Sequence, residues 1–299
     1  MTRALLAAAL VLAGCDAEIP VTQAGAQRQS LAPTNLPAFF DCLRTTGAVV
    51  VSAHRGGPSS GHAENTVSAL ANTLTSAPVF IEVDVGVTQD GALFLMHDET
   101  VDRTTTGSGR LNELTRDQVR SLTVEDTDGT PLNHAPTELA EALAWANGRT
   151  VLELDIKRGV AYEDVITEVE AAGAMGRVVF ITYSIDGASR IARLAPEAMI
   201  YTTISSAREL DLLERRGVDL SRVVEWVGTD APPASLVAAL NARGVETRFG
   251  MFGEGRDYEN AARARAQIVA VDDAAEAVRD LDAADGEEGY AALQCLSAD

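Results

Sequence analysis

The chain has 299 residues, 46% of them hydrophobic, with 24 basic against 44 acidic side chains and a formal net charge of -20. Such a length and apolar content can bury one large core, as a single α/β barrel or as two ordinary domains. The acid surplus opposes binding to nucleic acid or an anionic surface through a basic patch, so an anionic substrate would need a metal and a few local cations to hold it.

At the N-terminus Arg3 precedes the apolar stretch ALLAAALVLA, which is shorter than the ~20 residues a bilayer span requires and reads as an export signal. It ends in Leu12-Ala13-Gly14-Cys15, which resembles the lipobox of bacterial lipoproteins. Residues 1–14 are therefore expected to be a signal peptide and Cys15 the lipidated residue, giving a membrane-anchored lipoprotein of the bacterial cell envelope, on the periplasmic side. Acyl chains contribute ~0.8 kcal/mol per buried methylene. Residues 15–36 are small, polar and without periodicity, as expected of a flexible tether, and the folded domain is expected over 37–299. Cys42 and Cys295 then remain at the two ends of that domain, and in an exported protein they are expected to be paired.

Eight apolar, β-branched runs follow, at 49–53, 79–85, 151–156, 178–183, 198–204, 223–228, 245–251 and 267–271, with amphipathic helical patterns between them. Alternating strands and helices imply a parallel sheet, and eight such units predict one closed (β/α)₈ TIM barrel. A ninth run, LFLMH at 93–97, follows Asp90-Gly91, a hairpin signal, and is expected to fold back antiparallel on the second strand as an insertion at the barrel rim.

Chemistry in such a barrel gathers at the C-terminal strand ends. His54 and Arg55 end the first run, Glu82 and Asp84 lie late in the second, His97 ends the hairpin run, and Glu153, Asp155 and Lys157 close the third barrel strand. Lys157 is the only lysine in the sequence. Alternation puts Glu82 with Asp84, and Glu153 with Asp155 and Lys157, on one face. Buried carboxylates repel and cost several kcal/mol each to desolvate, so the group asks for a cation. An all-oxygen set suits Mg²⁺ or Ca²⁺ better than zinc. The histidines are then free for proton transfer, while Arg55 and Lys157 suit a phosphoryl group. His62 and His134 fall in loops and read as ordinary polar residues, and Trp145 and Trp226 as packing.

The ordered stretches AHRGG (53–57), ENT (64–66), EVDV (82–85), TQDG (88–91), HDETVDRTTTGSG (97–109), LNELT (111–115) and LDIK (154–157) resemble the glycerophosphodiester phosphodiesterase family. The resemblance implies a barrel that cleaves glycerophosphodiesters to glycerol 3-phosphate and an alcohol with a divalent metal. It makes His54 and His97 the acid/base pair, Arg55 and Lys157 phosphate contacts, and Glu82, Asp84 and the acid two before the lysine, Asp155, the metal ligands. Glu153 is the second choice for that third ligand, set deeper in the strand. Where the family carries a tryptophan-containing seventh strand, this chain reads TRFGMFG at 247–253. Two other readings fit the residues, phospholipase- or lyase-type cleavage of a membrane phospholipid and a catalytically silent envelope lipoprotein.

Overall fold

A computed structural model describes residues 30–298 apart from 231, 254 and 286–288. The expected signal peptide and lipidated Cys15 lie outside the described residues. The barrel strands are β1 (Val50–Ala53), β2 (Phe80–Val87), β4 (Leu152–Ile156), β5 (Val178–Ile181), β6 (Met199–Thr202), β7 (Val223–Trp226), β8 (Glu246–Met251) and β9 (Ile268–Val271). Each pairs in parallel with the next, and β1 pairs with both β9 and β2, so these eight strands close into a (β/α)₈ barrel. Helices cover the outside: α2 (Val67–Ser76), α4 (Leu139–Ala146), α5 (Tyr162–Ala171), α6 (Ile185–Leu194), α7 (Ala207–Arg215), α8 (Ala234–Asn241), α9 (Glu259–Ala264) and α10 (Ala274–Asp285). With helices outside and side chains filling the lumen, β4, β5, β6 and β9 are buried at every position, as parallel strands covered on both faces require.

An additional helix, α1 (Leu36–Thr46), precedes the barrel. Asn35 caps it, Pro37 occupies its first turn, and Gly47 ends it in the left-handed conformation. Its buried face, Leu36, Phe39, Phe40 and Leu43, joins the main core. Ordered packing begins earlier than the expected tether boundary at 36. The Ser30 hydroxyl donates to the Gly148 and Arg149 carbonyls, and Leu31 is buried beside Thr150. The apolar Leu31 finds a place against the barrel floor, which the polar composition around it conceals. Cys42 of α1 is bonded to Cys295 in the last turn of the chain.

Strand β3 (Leu93–Leu95) lies antiparallel on the end of β2, with Val87 opposite Leu93. The connection is a five-residue loop and not a two-residue turn. Thr88 organises it, donating to Asp90 and accepting the Ala92 N–H, and Gly91 takes a positive φ of 85°. The excursion continues well past β3, through the short helix α3 (Arg116–Arg120), before the chain returns at α4. Phe94, Met96, Val101, Leu111 and Val119 give this segment a small core of its own at the rim.

Candidate active site

Strand register sets the acids side by side. On β2 and β4, Glu82 stands opposite Glu153 and Asp84 opposite Asp155, all four buried. Bare, such an arrangement would be strongly repulsive. Burial first, and then Asp84, hold the Glu82 carboxyl well above the usual carboxylate range.

The surrounding cations divide these acids into two layers. The deeper layer is Glu153, whose Oε2 accepts from Arg248 Nη2 at 2.9 Å and from Ser52 Oγ at 2.6 Å, while its Oε1 accepts from Tyr201 Oη at 2.9 Å. Its hydrogen bonds are complete within the protein. Arg248 is itself stacked between the Tyr201 and Trp226 rings, 5.3 and 5.1 Å from their centroids. The upper layer is Glu82, Asp84 and Asp155, whose oxygens can come within 4.8 Å of one another. Lys157 Nζ bridges Asp84 and Asp155 at 2.6 Å each. Burial pulls the lysine pKa down, but these two carboxylates more than reverse it, leaving a firmly held ammonium.

The upper layer fits a hard divalent cation. Its donors are all carboxylate oxygens. Asp155 Oδ1 is buried without a hydrogen-bond partner among the described residues, while Asp155 Oδ2 is taken by Lys157 and by the Tyr183 hydroxyl at 2.7 Å. Three acids are met by Lys157 and, more distantly, by Arg55, whose Nε lies 3.8 Å from Asp84.

Local backbone features bring the remaining groups to this point. After β1 the chain turns through His54–Gly56 with Arg55 at φ 50°, a left-handed conformation uncommon for arginine. The turn aims the Arg55 N–H at Glu82 Oε2, 2.8 Å away. Asn65, also left-handed at φ 58°, donates from Nδ2 to Asp84 Oδ2 at 2.7 Å and accepts the Asp84 N–H on Oδ1 at 2.9 Å. At the end of β3 the Met96 N–H donates to the Asp84 carbonyl at 2.9 Å, which fixes where His97 enters.

Both histidines are backed by carboxylates. His54 Nδ1 lies 2.9 Å from Asp272 Oδ1, just beyond β9, and its ring packs 4.6 Å from Phe252. His97 Nδ1 lies 2.7 Å from Asp98 Oδ1. A carboxylate on Nδ1 leaves Nε2 as the ring nitrogen open to another partner. The hydrogen bond from His54 is the largest of the effects holding Asp272 below its usual range, and the one from Arg103 does the same for Asp98, which falls to about 2.

A cavity of ≈ 210 Å³ is lined by His54, His97, Glu82, Asp84, Asp155 and Lys157, and its wall also includes Tyr183, Trp226, Arg248 and Phe252. Gly250 makes that wall possible, since a Cβ there would overlap the Phe252 ring and crowd Trp226. Arg55 reaches the same acids from beside the cavity. His62 bonds to Ser68, and His134 lies near the Ala135 carbonyl, both outside this cavity. Trp145 lines a separate cavity with Ser30, Leu31 and Arg149. Asp272, Asn65, Tyr183 and Arg248 were not singled out by sequence reasoning. Asn65 carried a signal within ENT, whereas the others acquire meaning only when the barrel closes.

The chain matches the Glycerophosphoryl diester phosphodiesterase family over residues 54–249. It is 48% identical over 93 residues to Glycerophosphodiester phosphodiesterase 1 of Rattus norvegicus, a match spanning 31% of this chain and 28% of that relative's length. Among solved structures it resembles a glycerophosphoryl diester phosphodiesterase from Parabacteroides distasonis, with TM-score 0.75 and 24% identity over 85% of this chain and 94% of that one. It also resembles a phosphodiesterase from Oleispira antarctica solved in complex with the product sn-glycerol-3-phosphate, with TM-score 0.64 and 18% identity over 80% and 99% of the two chains. At these identities the two structures speak for the fold.

Proposed function

Because the chain belongs to the glycerophosphoryl diester phosphodiesterase family, we propose that it hydrolyses glycerophosphodiesters to glycerol 3-phosphate and an alcohol. The observation that carries this reading is the convergence of two carboxylate-backed imidazoles, His54 and His97, on one cavity with Lys157 and a buried acidic triad.

In this reading Glu82, Asp84 and Asp155 would hold a divalent ion, Mg²⁺ or Ca²⁺. Such an ion supplies Lewis-acid polarisation of a phosphoryl oxygen. Lys157 and Arg55 take the anionic oxygens of the diester and orient it. One imidazole accepts the proton of the attacking hydroxyl, from water or from the substrate's own glycerol, as the new P–O bond forms. The other protonates the alcohol oxygen as its P–O bond breaks, so the two histidines exchange roles relative to their resting protonation and are reset by solvent. If the glycerol hydroxyl attacks, a second passage with water opens the cyclic phosphate. Lys157 and Arg55 meet the charge that builds on the phosphoryl oxygens at the transition state. The same proposal keeps Cys15 as a lipid anchor that presents the barrel at the envelope membrane, a feature tested by fractionating wild-type and Cys15→Ser proteins.

Incubation with glycerophosphocholine, and separately with phosphatidylcholine, tests the substrate. The expected result is glycerol 3-phosphate and choline from the former only, abolished by EDTA. Turnover of phosphatidylcholine alone would replace this reading with a phospholipase, and turnover of neither with a non-catalytic envelope protein.

A further inference from the structure

His97 and Arg55 arrive at the cavity from different parts of the chain, one from the rim insertion and the other from the turn after β1. A single guanidinium joins their supports. Arg103, five residues after Asp98 in the insertion, donates Nε to Asp98 Oδ2 at 2.6 Å and Nη2 to Asp98 Oδ1 at 3.2 Å. It also donates Nη1 and Nη2 to the two oxygens of Glu64 at 2.8 Å each. Glu64 in turn faces Arg55, whose Nη1 lies 3.4 Å from both of its oxygens. The result is an unbroken series of polar contacts, His97 to Asp98 to Arg103 to Glu64 to Arg55.

This rests on the roles proposed above for His97 and Arg55, and it concerns how they are held. We infer that Arg103 is a positioning residue which, through Asp98 and Glu64, sets the orientation of the His97 imidazole and of the Arg55 guanidinium together. Among the described residues Asp98 has no other guanidinium on it. Already 31% exposed, it would share its oxygens with water if Arg103 were removed, and the His97 ring would lose its fixed partner. Glu64 is only 12% exposed, and without Arg103 its charge would fall on Arg55 alone, drawing that side chain away from Asp84. Arg103 reaches both oxygens of each of two carboxylates through its planar fork, whereas a lysine ammonium, as Lys157 shows between Asp84 and Asp155, can bridge two acids only through single contacts. The protein thereby makes the rim insertion a working part of the site and not merely a cover for it.

The test compares Arg103→Ala, Arg103→Lys and Glu64→Gln, singly and as the Arg103→Ala/Glu64→Gln double variant, in the full chain. Arg103→Ala is expected to lower kcat at least tenfold with a smaller change in KM, Arg103→Lys to recover part of that loss, and the double variant to fall no further than the worse single. The downfield Nδ1–H proton resonance of His97, identified by its disappearance in His97→Ala, is expected to broaden in Arg103→Ala while that of His54 persists. A kcat within twofold of wild type in Arg103→Ala, strictly additive losses, or an unaltered His97 resonance would each overturn the assignment. The resonance is read without substrate, so it judges Arg103 even if wild type fails to turn over glycerophosphodiesters.

Discussion

Inside the barrel Arg248 Nη2 donates to Glu153 Oε2 at 2.9 Å, with both side chains almost wholly buried. This pair separates the acid that balances the protein from the acids that remain for an ion. Glu153→Gln would leave Arg248 without its counter-charge, and breaking one side of a buried pair typically costs about 3–5 kcal/mol. Chemical denaturation should register a loss of that order, with metal affinity much less changed. Asp155→Asn should do the reverse, weakening metal binding in calorimetric titration and lowering activity, with partial recovery in excess metal. Loss of metal by Glu153→Gln but not by Asp155→Asn would exchange the two roles.

Removing either imidazole should be costly to turnover and cheap to stability. His54→Ala and His97→Ala are each expected to lower kcat by ~10² to 10⁴ with the fold retained by circular dichroism. Asp272→Asn should lower kcat through His54, because the amide cannot supply the charge that orients the ring. Near-normal kcat in either histidine variant removes that residue from the mechanism.

Asn65 allows backbone and side-chain effects to be separated. Glycine tolerates the positive φ at this position, whereas alanine does not. Asn65→Gly should therefore be the more stable of the two, yet both should weaken metal affinity by ~10- to 100-fold, because each deletes the amide that clamps Asp84. If Asn65→Gly binds metal like wild type, the amide is dispensable.

At the barrel floor Glu246 lies 2.8 Å from Arg44. Burial pushes its carboxyl up to about 8, with Arg44 pulling the other way. The folded state therefore holds a proton that the unfolded state releases near pH 4.5. Stability from this group is greatest below that unfolded value and declines as pH rises towards 8, by up to about 1.4 kcal/mol per pH unit. Urea melts at pH 5 and 8 should show wild type losing more stability than Glu246→Gln over that interval. Parallel losses in the two proteins would mean that Glu246 stays ionised.

The barrel was legible in the sequence because parallel strands covered on both faces appear as unbroken apolar runs, and their alternation with helices leaves little topological choice. The same periodicity exposed Glu82, Asp84, Glu153 and Asp155, since acids have no place in such runs unless something answers them. Helix α1 is absent from the expected elements although its signal is present: Asn35, Pro37 and Gly47 mark its ends, and Leu36, Phe39, Phe40 and Leu43 recur at the i, i+3, i+4, i+7 spacing of an amphipathic helix. The rim insertion was seen only as a hairpin. Its core residues, from Phe94 to Val119, are spaced without any single period and meet only after the chain has looped. Asp272 stands 218 residues from His54, and no local pattern links positions that only barrel closure makes neighbours.

The bond between Cys42 and Cys295 spans 253 residues, so nearly the whole barrel lies within one covalent ring. A protease that cuts once in an exposed rim loop would therefore produce two fragments that cannot part. The nicked protein would run as one species until reduced, and a barrel so held could keep its site assembled after damage that would release half of an unlinked chain. Wherever the protein meets proteases, the linkage between the two ends would let it survive the first cut.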